Sequence, residues 1–192
     1  MAGRQANVFE PASLNTVLRY IKRHHTDPAR SAVIILLSVR AGLRAAEIAK
    51  LEWPLVLTAR GAVSNTVYVP DDIAKMGSGR RVPMHRDLRR ALVVLLRREH
   101  AIGPVIKSAR GGHMKANSIV NWFVTLFKET GLQGCSSHSG RRTFITQAAR
   151  LTHRAGGSLR DVQILAGHRS IDTTQAYIDG DSHAQRKLIA LL

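Results

Sequence analysis

The stretch SSHSGRRTF, residues 136–144, carries two side chains whose spacing points to a binding site. The serines that open it are candidate N-caps, so we predict a helix over residues 139–153. His138 and Arg141 are three residues apart and share a face at the start of this helix. A guanidinium can fix two phosphate oxygens, and an imidazole can move a proton near neutral pH. The pair predicts a helix start that holds a phosphate group, with an ordinary polar helix surface as the alternative.

Two further cations lie in settings that suit an anion. Arg44 follows a glycine that ends one predicted helix, and it opens the next helix. Backbone N–H groups and the helix dipole favour negative charge at such a position. Lys75 lies at the entry to a predicted hairpin turn, from which it could reach a bound phosphodiester and protonate a leaving oxygen. Taken alone, each residue is also typical of an ordinary solvated surface.

A histidine and a tyrosine complete the series. His168 follows a glycine at a predicted helix end, and Tyr177 lies nine residues later on the next predicted helix. A tyrosine hydroxyl is a poor nucleophile at its free pKa of about 10, but surrounding arginines would favour the phenolate. A half-buried aromatic ring with its hydroxyl in water is the alternative for Tyr177.

The period of the apolar residues predicts a mainly helical α+β domain. Helices are predicted over residues 11–25, 29–41, 43–51, 88–96, 117–130, 139–153, 159–165, 172–177 and 183–192. Strands at residues 55–57, 66–69 and 81–84 predict a small three-stranded antiparallel sheet near the N-terminal half. The sequence GSG at residues 77–79 is expected to form the turn between the last two strands.

The charge balance indicates the class of partner. Lys and Arg number 29 against 13 Asp and Glu, which gives a net charge of +16 in 192 residues. Such an excess favours a polyanion, with nucleic acid first; because the cations are spread along the chain, a lipid surface is disfavoured. The single cysteine, Cys135, excludes a disulfide framework and multi-cysteine metal sites. We expect no membrane association and a cytoplasmic, nucleoid-associated protein.

The order of these segments resembles the tyrosine recombinase family, also called the phage integrase family. That family shows a Gly-Leu-Arg-x-x-Glu segment, a hairpin lysine, a His-x-x-Arg helix, a Leu-Gly-His segment and a tyrosine about nine residues on. Each position has a match here, from about residue 9 to the end of the chain: Arg44, Glu47, Lys75, His138, Arg141, His168 and Tyr177. The resemblance implies the fold of the family's catalytic domain.

The same resemblance implies a nucleophile and its proton carriers. Tyr177 would attack the scissile phosphate and form a 3′-phosphotyrosyl link, leaving a free 5′-hydroxyl. Lys75 would protonate the 5′ leaving oxygen. His138 would accept the tyrosine proton or hydrogen-bond the phosphate.

It also implies how the phosphate is held. Arg44 and Arg141 would hold the non-bridging oxygens and neutralise the charge that grows in the transition state. His168 would donate a hydrogen bond to the same phosphate, and Glu47 would be the acidic buttress that orients the active-site His and Arg. Cationic side chains would do the work of a metal ion, and the covalent link conserves bond energy, so no metal, ATP or other cofactor is implied.

Two positions depart from the family pattern. Gly140 and Ala166 stand where the family usually has Leu. A glycine inside a helix costs about 0.5–1 kcal/mol relative to alanine. Gly140 therefore predicts close packing or a close ligand.

The resemblance carries expectations on domains and partners. We expect residues 1–192 to form a single catalytic domain without the DNA-clamping domain that precedes it in most members, as in the fimbrial invertases or in an excised domain. The partners would be double-stranded DNA, three further copies in a tetramer on two DNA sites, and possible accessory DNA-bending proteins. The free chain would be a monomer or weak oligomer. The apolar helix at residues 183–192 would dock on a neighbouring subunit or fold back on its own domain.

Three other functions remain as alternatives. A type IB topoisomerase-like enzyme shares the tyrosine chemistry but differs in its segments. A non-catalytic DNA-binding protein could keep the fold as a scaffold. A metal-dependent nuclease or transposase would need a carboxylate cluster, for which the thirteen acidic residues show no obvious spacing. The target sequence, and the choice between integration, excision, inversion and resolution, stay open.

Overall fold

The computed structural model describes residues 7–177 and 189–190. Over these residues it confirms the predicted mainly helical α+β class, with eight α-helices and a small antiparallel sheet. The elements are α1 (Pro11–His24), α2 (Pro28–Ala41), α3 (Ala45–Lys50), β1 (Thr66–Val69), β2 (Arg80–Pro83), α4 (Arg86–Leu96), α5 (Ala116–Glu129), α6 (Ser139–Leu151), α7 (Leu159–Ala166) and α8 (Ile171–Gln175). The helix predicted over residues 183–192 lies outside the described residues except at positions 189 and 190.

Helix α2 is the centre of the core. Asp27 caps its start by accepting a hydrogen bond of 3.1 Å from the Arg30 N–H, and Gly42 ends it at φ 66°. That left-handed conformation strains any residue with a side chain, which is why glycine suits the position. Nearly the whole middle of the helix is apolar and buried, because α1, α4 and α6 all pack against it. The start of α3, which follows Gly42, is thereby fixed to the core.

The sheet has two strands, and the predicted third strand at residues 55–57 is wrong. β1 pairs antiparallel with β2, with Val67 opposite Val82. Trp53–Leu55 form a short 3₁₀ helix instead, and Leu57 makes one isolated bridge to Val63. Pro54 favours this helical turn, because its fixed φ suits the first positions of a helix.

Helix α6 lies unusually close to α2 at Gly140. A Cβ atom built there would overlap the Ser38 hydroxyl oxygen and lie 2.8 Å from the Ser38 Cβ and 3.1 Å from a methyl carbon of Val39. Gly140 therefore serves close packing, one of the two uses predicted for it. The contact brings the start of α6 next to the end of α2, and so brings Arg141 next to Arg44.

None of the helices in the described part of the chain is long and apolar enough to cross a membrane.

Candidate active site

The structure brings six of the seven residues that match the family pattern, all except Glu47, to one cleft. Its volume is about 410 Å³. The side chains around it come from the segments that follow α2, β1 and α7, from the start of α6, and from α8 and the turn after it. The lining residues are Arg44, Lys75, His138, Arg141, Arg142, His168, Thr173, Ala176 and Tyr177.

Glu47 lies beneath this cleft as the anchor of Arg44. Arg44 is the N-cap of α3, and its backbone N–H donates to Glu47 Oε2 at 2.9 Å. Its guanidinium also donates to Glu47 Oε1 at 2.8 Å. The Glu47 side chain is 1% exposed, whereas that of Arg44 is 22% exposed. The buried carboxylate thus fixes an arginine that still reaches the cleft.

Arg80 is a further partner of Glu47 that the sequence reasoning missed. Its Nη1 donates to Oε1 at 3.1 Å and its Nη2 to Oε2 at 2.8 Å. The predicted strand began at residue 81 and left Arg80 beside the turn. The available signal was the alternation of β2, which buries Arg80 and Val82 and exposes Arg81.

The two arginines keep Glu47 ionised. Burial by itself raises the pKa of a carboxyl group. The hydrogen bonds and charge of Arg80, and then those of Arg44, outweigh burial and lower the pKa of Glu47 to about 2. At neutral pH the group is a carboxylate with its oxygens occupied by the two arginines.

Arg141 joins the ends of two helices. It is 4% exposed, and it donates to the carbonyl of Gly42 at 2.6 Å and to that of Ala166 at 2.5 Å. These carbonyls lie at the C-terminal ends of α2 and α7, where the helix dipole is negative. Burial first, and then the charges of Arg44 and Arg80, lower the pKa of Arg141 from its ordinary value. An anion in the cleft would relieve this concentration of positive charge.

His168 is held as a neutral imidazole. Its Nδ1 lies 2.9 Å from the hydroxyl of the fully buried Thr174. Burial first, and then the charges of Arg141, Arg44 and Arg80, lower its pKa to about 4. A neutral imidazole has one N–H to donate, so its partner on Nδ1 decides whether Nε2 can donate to the cleft.

We expect the imidazole of His168 to titrate in the free protein with a midpoint near pH 4, measured by NMR of its ring resonances. An unfolded histidine titrates near 6.5, so the folded state binds fewer protons between these values. Folding stability should therefore fall as the pH is lowered from about 6.5 to 4. The variant His168→Gln assigns the resonance. A midpoint at or above 6.5 would show that burial and the three nearby arginines do not lower the pKa of His168.

Tyr177 lies against His168 just beyond the end of α8. The predicted helix over residues 172–177 is therefore too long, since α8 ends at Gln175 and Tyr177 is in the following turn. The two rings stack with centroids 5.6 Å apart at 24°. The Arg142 guanidinium lies 5.8 Å from the tyrosine ring centroid. A hydroxyl-bearing side chain thus stands at the rim of a cationic cleft.

Lys75 reaches the cleft from the connection between β1 and β2. This connection is longer than the turn predicted at residues 77–79, and Lys75 opens a short 3₁₀ segment within it. The Arg169 guanidinium donates to the Met76 carbonyl, so the segment docks beside His168. A Cβ on Gly167 would lie 2.9 Å from the Ser78 carbonyl oxygen, which leaves no room for a side chain there.

His138 is the N-cap residue of α6. The serines at positions 136 and 137 were predicted to cap this helix, but it begins at Ser139 and so the cap falls on His138. The Ser136 hydroxyl accepts a hydrogen bond of 3.3 Å from the His138 N–H and thereby shapes the segment before the helix. His138 still lines the cleft together with Arg141.

The assembled groups suit a phosphate diester. Four basic side chains line the cleft, namely Arg44, Lys75, Arg141 and Arg142, and the carboxylate of Glu47 lies buried beneath them. Within the described residues, no group of three or more His, Cys, Asp or Glu is placed to hold a metal ion. The arrangement can bind an anion, offer a tyrosine hydroxyl as nucleophile and supply protons from a lysine or a histidine.

The sequence and the fold are similar to those of known proteins. The model of the phage integrase family matches residues 7–183. Tyrosine recombinase XerC of Nitrobacter winogradskyi is 30% identical over 165 residues, which are 80% of this chain and 47% of that protein. The chain thus spans about half the length of this curated relative.

Solved structures show the same fold at low identity. The Tn1549 transposon integrase in complex with a circular intermediate DNA has a TM-score of 0.77 at 18% identity, covering 100% of this chain and 67% of that one. The crystal structure of XerA recombinase has a TM-score of 0.75 at 20% identity, covering 100% and 65%. Both likenesses agree with the catalytic-domain fold that the spaced residues predicted.

Proposed function

The chain belongs to the phage integrase family, as its spaced residues predicted, and from this membership we propose that it is a site-specific DNA recombinase. It cuts and rejoins DNA strands through a 3′-phosphotyrosyl intermediate, without metal or ATP. The observation that carries the proposal is that one tyrosine, four basic side chains and two histidines line a single cleft. These residues come from segments as far apart as positions 44 and 177.

In the proposed reaction, Arg44 and Arg141 bind the non-bridging oxygens of the scissile phosphate. Both are held in advance, Arg44 by Glu47 and Arg141 by the carbonyls of Gly42 and Ala166. Such preorganised donors stabilise charge as it grows in the transition state. The neutral His168 adds a hydrogen bond from Nε2 when Nδ1 accepts from the Thr174 hydroxyl.

The covalent step exchanges one phosphodiester for another. The Tyr177 oxygen forms a bond to phosphorus, and the bond from phosphorus to the 5′ oxygen breaks. The tyrosine proton passes to His138, and Lys75 gives a proton to the leaving 5′ oxygen. Attack of a 5′-hydroxyl on the phosphotyrosine reverses the step, so the strand is rejoined without an external energy source.

Double-stranded DNA is the proposed substrate and partner. The net charge of +16 supports binding to the phosphate backbone, and the Tn1549 integrase that shares the fold was solved with DNA. We further propose that residues 1–192 act as one catalytic domain and that four copies assemble on two DNA sites. Exchange of strands between two sites requires two pairs of cutting subunits.

The proposal predicts protein-linked 3′ ends on cleaved DNA. The chain would be incubated with supercoiled plasmid carrying the DNA that flanks its gene, with EDTA present and ATP absent. After denaturation and protease treatment, the 5′ ends should accept label from polynucleotide kinase without prior phosphatase, whereas the 3′ ends should stay blocked by a peptide. Free 3′ ends, or cleavage abolished by EDTA, would instead indicate a metal-dependent nuclease.

A further inference from the structure

We propose that Arg80 is a positioning residue for the cleavage reaction: it fixes Glu47, and through Glu47 it fixes Arg44 toward the cleft. The activity part of this inference rests on the proposed function. Arg80 does not line the cleft, so it acts on the substrate only through its neighbours. The sequence pattern gave it no role.

Arg80 and Glu47 form a fully buried, bidentate ion pair. Two hydrogen bonds of 3.1 and 2.8 Å join the two terminal nitrogens to the two carboxylate oxygens. Both side chains are 1% exposed. A paired geometry of this kind fixes the plane and direction of the carboxylate, which a single point charge cannot do.

Arg80 also contacts the segment that carries His168. A Cβ built on Gly167 would lie 3.0 Å from Arg80 Cδ and 3.2 Å from its Nη1. The backbone of that turn therefore packs directly on the arginine side chain. Arg80 also begins the strand that follows the Lys75 segment. It is therefore linked to three parts of the site: Glu47, the turn before His168 and the segment that carries Lys75.

The charge of Arg80 offsets the effect of burial on the pKa of Glu47. The charged groups that act on the carboxylate are Arg80 from β2, Arg44 at the N-cap of α3 and Arg141 from α6. With Arg80 removed, burial is opposed mainly by the more exposed Arg44. The pKa of Glu47 should then rise, and a protonated Glu47 would hold Arg44 less firmly.

The test compares Arg80→Met with its neighbour Arg81→Met. Arg81 is exposed on the opposite face of β2, stacked on Tyr68 at 4.4 Å, so its variant removes the same charge from the same strand. We expect Arg80→Met to slow formation of the DNA adduct by roughly 10²-fold, with partial recovery as the pH rises from about 6 to 8. Arg81→Met should keep the wild-type pH profile. Arg80→Lys should restore the pH profile but not the full rate.

Thermal stability gives a readout that needs no DNA. In the wild type, the pKa of Glu47 lies below that of an unfolded glutamate, so its stabilising effect is lost only as the pH falls below about 4.3. In Arg80→Met the raised pKa reverses the sign, and the variant should lose stability as the pH rises from about 5 to 8. The double variant Glu47→Gln/Arg80→Met buries no lone carboxylate, so it should lack this trend. Where Arg80→Met fails to fold, the double variant should regain a thermal transition, and its failure to do so would contradict the proposal.

The proposal is overturned if Arg80→Met cleaves DNA with the wild-type rate and pH profile, or if the double variant shows the same pH trend in stability as Arg80→Met. Failure of the wild-type chain to form any adduct would refute the proposed function instead. The stability comparison would in that case still decide whether Arg80 fixes Glu47.

Discussion

Tyr177→Phe should abolish the covalent link between protein and DNA while leaving the affinity for DNA within a few fold. The substitution removes the attacking oxygen but keeps the ring that stacks on His168 at 5.6 Å. Because no other group replaces the oxygen as nucleophile, the expected loss is complete rather than partial. The measurement is protease-sensitive retardation of labelled DNA after denaturation, beside a binding assay on the same DNA.

Tyr68→Phe is the matched control for this experiment. Of the three tyrosines, all of which the structure describes, Tyr177 alone lines the cleft. Tyr68 is 38% exposed and stacks with Arg81, and Tyr20 stacks on His24 at 4.5 Å. An adduct that survives in Tyr177→Phe would show that the nucleophile has been misassigned, and Tyr68 and Tyr20 would be the next candidates.

Arg141→Ala should slow cleavage by roughly 10²–10³-fold or more, on the scale of losing an oxyanion donor. Arg141→Lys should recover little of this, because an ammonium is a point charge. It cannot donate to the carbonyls of Gly42 and Ala166 in their two directions and also present a fork to a phosphate. Single-turnover cleavage, measured well below the thermal transition of each variant, tests both changes.

The same variants should show a small change in thermal stability. Two hydrogen bonds from a charged group contribute about 1.5–3 kcal/mol each, but the burial and like-charge repulsion that lower the pKa of Arg141 act in the opposite direction. Arg154→Ala removes the same charge from an exposed position beyond α6 and serves as control. A near wild-type cleavage rate for Arg141→Lys would refute the idea that Arg141 must donate to both carbonyls and also bind the phosphate.

The sequence predicted what depends on local patterns. The positions of α1 and α2 agree with prediction to within one residue, because a 3.6-residue apolar period is bounded there by Pro11, Asp27 and Gly42. The six cleft residues were identified from their order and spacing, and the structure gathers them although their roles stay predictions. The strand predicted at residues 55–57 is wrong because the prediction rested on the apolar run alone, whereas Trp53–Leu55 form a 3₁₀ turn with Pro54 in its first positions.

What the sequence could not predict are contacts between distant residues. Arg80 meets Glu47 across 33 positions. The acceptors of Arg141 are backbone carbonyls, which look alike at every residue. Thr174 lies next to an equally ordinary threonine, and only the fold shows which of the two contacts His168. A pattern of residue types indicates candidate reacting groups but not the groups that hold them.

The bridge made by Arg141 has a consequence for the order in which the site can be completed during protein synthesis. Its two acceptors lie 99 residues before it and 25 residues after it. A ribosome releases the chain from its N-terminal end, so Arg141 cannot make its second contact before α7 has emerged, and Tyr177, the proposed nucleophile, emerges later still. Under the proposed mechanism, a nascent or prematurely terminated chain already carries most of the phosphate-binding cations but has no means of cutting DNA.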